Sequence, residues 1–354
     1  MFESLRRVMV RGTVIGATLA LALSSVGSAQ NDKILVGLVV KDLDNPFFAK
    51  MIEGAQEKAA ELGNIEIQAL SGENSADNQG QVEAIENLIA AGAKGLLLTA
   101  SDSKGIVPTV EKAKEAGMLV IALDTQLDPP DAAQATFATD NYLAGKLIGE
   151  WAAGHLGPEA VADAKIAAIN DSTLQTSVDV QRNQGFMEGF GVDIMDPSVW
   201  GDETDPRIVG QDVSNGTQEL GRTAMENLLA AHPDITVLHT INEPTANGAY
   251  LAIEAAGLQD QITIVSVDGS CAGVKDVADG KVGATAMQFP LLMASLGVEA
   301  VAQFAEDGTL PEPTPGLDFF NTGVALITDQ PVEGLESQDT TWGLENCWGE
   351  MPAE

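Results

Sequence analysis

The chain has 354 residues, 45% of them hydrophobic, and carries 52 acidic against 18 basic side chains for a formal net charge of −34. That length supports two domains with ample buried core. A field of that sign repels phosphate, which excludes nucleic acid and anionic membrane surfaces as partners, and it reads as a solvated face suited to salt-rich surroundings.

The first element is a leader. Arg6, Arg7 and Arg11 form a basic start, Thr13 to Leu23 run apolar over a stretch too short to span a bilayer, and Gly27, Ser28 and Ala29 supply a small-residue cleavage site. Residues 1–29 therefore read as an export signal cleaved near Ala29. No cysteine closes the apolar run and no later run approaches membrane length, so the mature chain is expected free in an extracytoplasmic space and not embedded in a membrane. Export also bears on Cys271 and Cys347, the two cysteines of the chain. A disulfide between them is the one connectivity open, and an oxidising compartment favours it; two free buried thiols are the alternative. His155, His232 and His239 fall at no ligand spacing from the cysteines, so no metal site is expected.

From Lys33 onward short apolar runs alternate with amphipathic stretches, the pattern of β-α-β units around parallel sheets. Strands are predicted at Ile34–Val39, Ile65–Ala69, Gly95–Thr99, Leu119–Leu123, Lys165–Ile169, Ile208–Gln211, Thr236–His239, Ile262–Val267 and Gly283–Met287. Helices fill the gaps, as at Pro46–Leu62, Asn78–Ala91, Tyr142–His155, Thr217–Ala231 and Pro290–Ala305. The Asp193–Pro206 stretch reads as a surface excursion, and the proline-dense Leu310–Pro315 as an extended crossover. The strand number implies two sheets. A repeat supports the division: the run Ala84 to Ala91 (AIENLIAA) returns as Ala224 to Ala231 (AMENLLAA), and the same offset relates Leu98 to Leu238 and Gly117 to Gly257. The fold class expected is α/β, two similar Rossmann-like parallel-sheet lobes built from copies of one module.

In open parallel sheets ligands bind beyond the carboxyl ends of the strands. The residues there are polar: Lys41 and Asn45, Asp124, Asn242, Asp268 and Gln288, with Asp124 and Asp268 at corresponding places in the two halves. Ionised Asp only accepts hydrogen bonds, Asn and Gln both donate and accept, and Lys or Arg only donate, a set suited to a neutral ligand rich in hydroxyls. Phe47 and Phe48 add apolar faces for the C–H surface of a sugar ring. Each residue alone has a plainer role: Asp124 as a helix N-cap, Phe47 and Phe48 as core, Arg182 as a surface cation.

The mature chain resembles the periplasmic sugar-binding proteins of the ribose-binding type, and among them the fructose-binding component of bacterial ATP-driven (ABC) importers. The resemblance is carried by Asn45-Pro46-Phe47-Phe48, Ile121-Ala122-Leu123-Asp124-Thr125, Thr139-Asp140-Asn141, Arg182 through Phe186, Asn242-Glu243-Pro244, Val267-Asp268-Gly269 and Gly283-Ala284-Thr285 leading to Gln288, and on the fructose-like side by Cys271 and Cys347-Trp348-Gly349. It implies a type I periplasmic binding protein fold and a monosaccharide held by Asn45, Asp124, Arg182, Asn242, Asp268 and Gln288, with Phe47 and Phe48 packing on its ring and a multi-strand hinge at Asp140 and Asn141. It departs from the ribose pattern at Lys41, at Thr125 and at Val267, where a small hydroxyl residue, Arg and Phe are usual. Lys41 and Thr125 thereby join the expected ligand wall, and fructose is favoured over ribose, mannose or xylose.

The resemblance further implies delivery to an importer permease in the periplasm, no cofactor and no catalysis. The lobes are expected at residues 30–139 with 289–322 and 140–288 with 323–354, in a monomer. A glycosidase using Asp124 and Asp268 as its carboxylate pair finds no other support in the sequence. A sugar sensor that presents its closed form to a chemoreceptor is the alternative function.

Overall fold

In the computed structural model, which describes residues 33–351, the chain forms two six-stranded sheets. The leader assigned to residues 1–29 lies outside the described residues. The first half runs β1 (Ile34–Val40), α1 (Pro46–Leu62), β2 (Ile65–Ser71), α2 (Asn78–Ala91), β3 (Gly95–Leu98), α3 (Val107–Glu115), β4 (Leu119–Leu123) and β5 (Ala135–Ala138). The second runs α4 (Asn141–Ala162), β6 (Ile166–Asn170), α5 (Ser177–Gly189), β7 (Ile208–Val213), α6 (Gln218–Ala231), β8 (Val237–Thr240), α7 (Glu243–Ala256), β9 (Thr263–Asp268), α8 (Cys271–Ala278) and β10 (Ala284–Met287). The chain then returns through α9 (Pro290–Asp307) and β11 (Phe320–Asn321) and ends with β12 (Ala325–Ile327) and α10 (Thr340–Asn346).

The two sheets share one spatial order, β11-β5-β4-β3-β1-β2 and β12-β10-β9-β8-β6-β7, and all pairings are parallel except β10 with β12. The duplication read from the sequence is thus a duplication of topology. α2 and α6 begin and end 140 positions apart, and Gly117 and Gly257 both hold the left-handed conformation, at φ 84° and 71°. The central strands are apolar on both faces because each sheet is covered twice. Val36, Leu38 and Val40 of β1 pack with Phe48 and Met51 of α1 and Val298 of α9, while Val39 turns to Leu88 of α2. In the second sheet Ile166 and Ala168 face α4 and α5, and Ala167 and Ile169 face α6 and α7.

β5, β11 and β12 have no counterpart among the expected strands. They are two to four residues long, too short to carry a periodic signal, with β11 and β12 at sheet edges and β5 between β11 and β4. α4 also runs beyond the expected His155, through a break at Gly157 (φ 79°) where Pro158 has no N–H to continue the ladder. Because β11 joins the first sheet and β12 the second, the chain passes between the sheets after β5, after β10 and after β11.

In the second half, α4 and α5 touch backbone to backbone: a Cβ on Gly185 would stand 2.1 Å from the Tyr142 carbonyl oxygen, and one on Gly145 2.1 Å from that of Arg182. Only glycine permits this approach, and it seats the α5 side chains next to the start of α4. Gly185→Ala is expected to cost about 1–3 kcal/mol through overpacking, read as a lower urea midpoint; an unchanged midpoint would show that the helices separate freely.

Candidate functional site

The carboxyl ends of the strands of both sheets meet at a narrow cleft. After β1, the Asp42 carboxylate accepts the N–H groups of Asp44 and Asn45 and, at 3.3 Å, the Ser75 hydroxyl. Burial pushes its carboxyl up, and those donors oppose the shift. The loop so shaped makes Asn45 the N-cap of α1, accepting the Phe47 N–H at 2.9 Å ahead of Pro46. Asn242 caps α7 in the same way, accepting the Thr245 N–H at 3.1 Å while its amide donates to the Gly216 carbonyl at 3.0 Å. Both caps occupy the side-chain oxygen and leave amide hydrogens for the cleft.

Asp124 is no helix cap. It sits at φ 61°, and Asp268 at φ 151°, conformations that cost a non-glycine residue about 1–3 kcal/mol each and that the surroundings must hold. For Asp268 the holding group is Glu243, the first residue of α7. Its buried carboxylate accepts the N–H of Gly269 at 2.8 Å and of Ser270 at 3.0 Å, together with the hydroxyls of Ser270 and Thr285. Burial, then the Asp268 charge, push the Glu243 carboxyl up to about 8. Asp268 accepts the Gln288 amide at 2.8 Å and the Glu243 N–H at 3.3 Å. Burial pushes its carboxyl up to about 6, against the pull of Arg182.

Arg182 reaches the cleft from α5. Its Nε donates to Asn141 Oδ1 at 2.8 Å and its Nη1 to the Ile241 carbonyl at 2.9 Å. The guanidinium then lies 3.5 Å from Asp124 and 4.0 Å from Asp268, between carboxylates of the two sheets. At 3.5 Å the Asp124 oxygen feels the charge but accepts no hydrogen bond from any described residue. Asn141 also donates to the Asp124 carbonyl at 3.2 Å, and Asp140 caps α4 by accepting the Leu143 N–H. A second charged pair crosses from Lys41 after β1 to Asp171 after β6, at 3.1 Å and buried at both ends. His239 adds no charge, since burial pushes it down to about 3 against Phe186.

The C-terminal tail braces the site from behind. Cys347 is bonded to Cys271, and the next residue, Trp348, donates Nε1–H to the carbonyls of Asp268 at 3.2 Å and Gln288 at 2.9 Å. Its ring meets Phe47 edge-on at 5.6 Å, and Phe47 meets Phe48 at 5.5 Å.

Nine of the ten expected ligand positions line this cleft: Lys41, Asn45, Phe47, Phe48, Asp124, Arg182, Asn242, Asp268 and Gln288. The tenth, Thr125, is corrected. Its hydroxyl turns back to donate to Asp124 Oδ2 at 2.8 Å, so it steadies a wall residue from behind. Val267 likewise lies in the core beneath the second sheet, away from the cleft, because alternate residues of β9 point to opposite faces. Five wall residues lie outside the expected set: Ser75, Asp171, Val178, Gly216 and Ile241. Asp171 follows β6 as the others follow their strands, so the same rule reaches it; Ser75, in the loop after β2, carries no local signal.

The chain belongs to the periplasmic binding protein family: the sequence pattern of its periplasmic binding protein domain matches residues 36–309. The D-ribose/D-allose-binding protein of Pseudomonas aeruginosa is 29% identical over 330 residues, covering 91% of this chain and 98% of that protein. The ribose import binding protein of Haemophilus influenzae is 33% identical over 280 residues, 79% and 87% of the two chains. Among solved structures, an Agrobacterium vitis ABC transporter solute binding protein with bound D-fucose superposes with a TM-score of 0.73 at 25% identity, over 85% of this chain and 97% of that one. These relatives are binding proteins, two of them named for transport systems, and this chain stands with them, not with enzymes. No helix among the described residues is long and apolar enough to cross a membrane.

The disulfide closes a loop with a sequence separation of 76, worth roughly 4 kcal/mol in the chain-entropy account. Cys347→Ser is expected to lower the melting temperature by several degrees, and an unchanged melting temperature would show that the tail holds itself in place.

Proposed function

We propose that the protein is the periplasmic solute-binding component of an ABC sugar importer, which takes one monosaccharide between its lobes and hands it to the permease. The observation that carries this reading is the surplus of buried acceptors in the cleft. Asp124 Oδ1, Asp171 Oδ1 and Gln288 Oε1 accept no hydrogen bond from any described residue, and buried acceptors left so are costly. A ligand that presents several hydroxyl donors and an apolar ring face to Phe47 and Phe48 satisfies them together. The lobes are proposed to run over 30–139 with 289–322 and 140–288 with 323–354, swinging about Asp140 and Asn141 in a monomer. Since Asp124 and Arg182 lie on opposite sides, a bound sugar stabilises the closed form by contacts that only closure completes.

D-Fructose is the first ligand to test, because Lys41 adds a donor where ribose binders carry a small hydroxyl residue; D-ribose and D-allose, named for the relatives, come next. In a thermal-shift panel with D-mannose and D-xylose added, one sugar is expected to stabilise the protein by about 4 kcal/mol at a thousandfold excess over its Kd. No shift with any monosaccharide would overturn the reading.

The Asp268 carboxyl also sets a pH dependence. Its ionised form accepts the ligand, and its pKa lies near 6, above the ordinary 3.8. Affinity is therefore expected to fall by up to about tenfold per unit as the pH drops below 6. Calorimetric titration from pH 7.5 to 5 checks this, and constant affinity would remove Asp268 from the binding contacts.

A further inference from the structure

The cleft has two charged clusters, and the one around Arg182 joins two carboxylates of the expected set, Asp124 and Asp268. The other is built on Asp171. Its N–H donates to Asp179 Oδ1 at 2.8 Å, and its carbonyl accepts the Asn215 N–H at 2.7 Å, so its backbone is pinned on both sides. Asp179, itself fully buried, also accepts Trp200 Nε1–H at 3.0 Å, which binds the 193–206 excursion to the back of this turn. Asp171 is 3% exposed. Oδ2 accepts Lys41 Nζ from across the cleft at 3.1 Å, and Oδ1 has no donor among the described residues.

The space before that oxygen is kept open by a glycine. Gly216 holds φ 66°, and a Cβ there would stand 3.0 Å from Asn242 Nδ2 and 3.6 Å from both Asp171 Oδ1 and Ser75 Oγ. The missing side chain leaves a gap bounded by a carboxylate, a hydroxyl and an amide. The Lys41 ammonium has two further hydrogens beyond the one given to Asp171.

We infer that Asp171 is a specificity-determining residue, whose Oδ1 accepts one hydroxyl group of the bound sugar in the gap before Gly216 while Lys41 holds the carboxylate from the opposite lobe. The inference rests on the monosaccharide reading of the cleft. An ionised carboxylate accepts and never donates, so a sugar that lacks this one hydroxyl leaves Oδ1 buried without a partner, a stronger discrimination than shape alone supplies. The competing account is that the Lys41–Asp171 pair only fastens the lobes together, which would favour every ligand alike.

The test is isothermal titration of the parent, Asp171→Asn and Asp171→Ser with the panel sugar that binds tightest and with its singly deoxygenated analogues. Asp171→Asn is expected to weaken the full sugar roughly ten- to hundredfold. Against one deoxy analogue, parent and variant should bind alike, because the hydroxyl that Asp171 reads is already gone. Asp171→Ser, smaller and neutral, gives the same comparison should the Asn variant not fold. An equal loss across all analogues would overturn the inference in favour of a fastening pair, and so would affinities within threefold of the parent for the full sugar. A parent that binds none of the panel sugars overturns the sugar reading and this inference with it.

Discussion

Buried charge must be compensated, and that constraint organises the molecule where its two sheets meet. Three carboxylates, Asp124, Asp171 and Asp268, and two cations, Lys41 and Arg182, lie at most 4% exposed in one cleft. An unpaired charge at such depth would cost several kcal/mol. Each cation therefore stands against a carboxylate from the opposite sheet, and the surrounding elements keep the charges in register. The glycine contact between α4 and α5 is what lets Arg182 come so close to Asn141, which in turn holds the carbonyl of Asp124. The charges thus hold the two sides of the cleft against each other.

The same need explains where the backbone is strained. Asp124 and Asp268 take conformations better suited to glycine, and in both cases a neighbour absorbs the strain: Thr125 for the first, the Glu243 cradle and Trp348 for the second. Glu243 is intolerant of crowding, since a Cβ on Gly273 would fall 1.8 Å from its carboxyl carbon. The disulfide and the tail tryptophan belong to this support. They bring a residue distant in sequence between Phe47 of one lobe and the Asp268 turn of the other.

Duplication gives the site its logic. Two modules with the same strand order present the same kind of strand ends, so half of a polar shell on one lobe faces half on the other. The halves are not equivalent in charge. In the first, Lys41 donates and Asp124 accepts; in the second, Asp171 and Asp268 accept and Arg182 donates. A hydroxyl-rich ligand is asymmetric, and an asymmetric cage can orient it.

The sequence by itself determined the two-sheet architecture, the repeat and nine of the fourteen residues that line the cleft. Apolar periodicity, helix caps such as Asn45 and Asn242, and glycines such as Gly117 and Gly257 are local signals, and the end of a parallel strand is a position that periodicity reveals. Tertiary structure decided what periodicity does not encode. β11 and β12 exist only because a sheet edge is there to pair with, and Ser75 enters the wall because Asp42 accepts its hydroxyl across a loop. Thr125 and Val267 stand beside wall residues in sequence yet face away from the cleft, because neighbouring residues of a strand or tight turn point in opposite directions. Which carboxylate meets which cation depends on how two lobes approach each other, and that distance is a property of packing between residues far apart in the chain, 130 positions for Lys41 and Asp171.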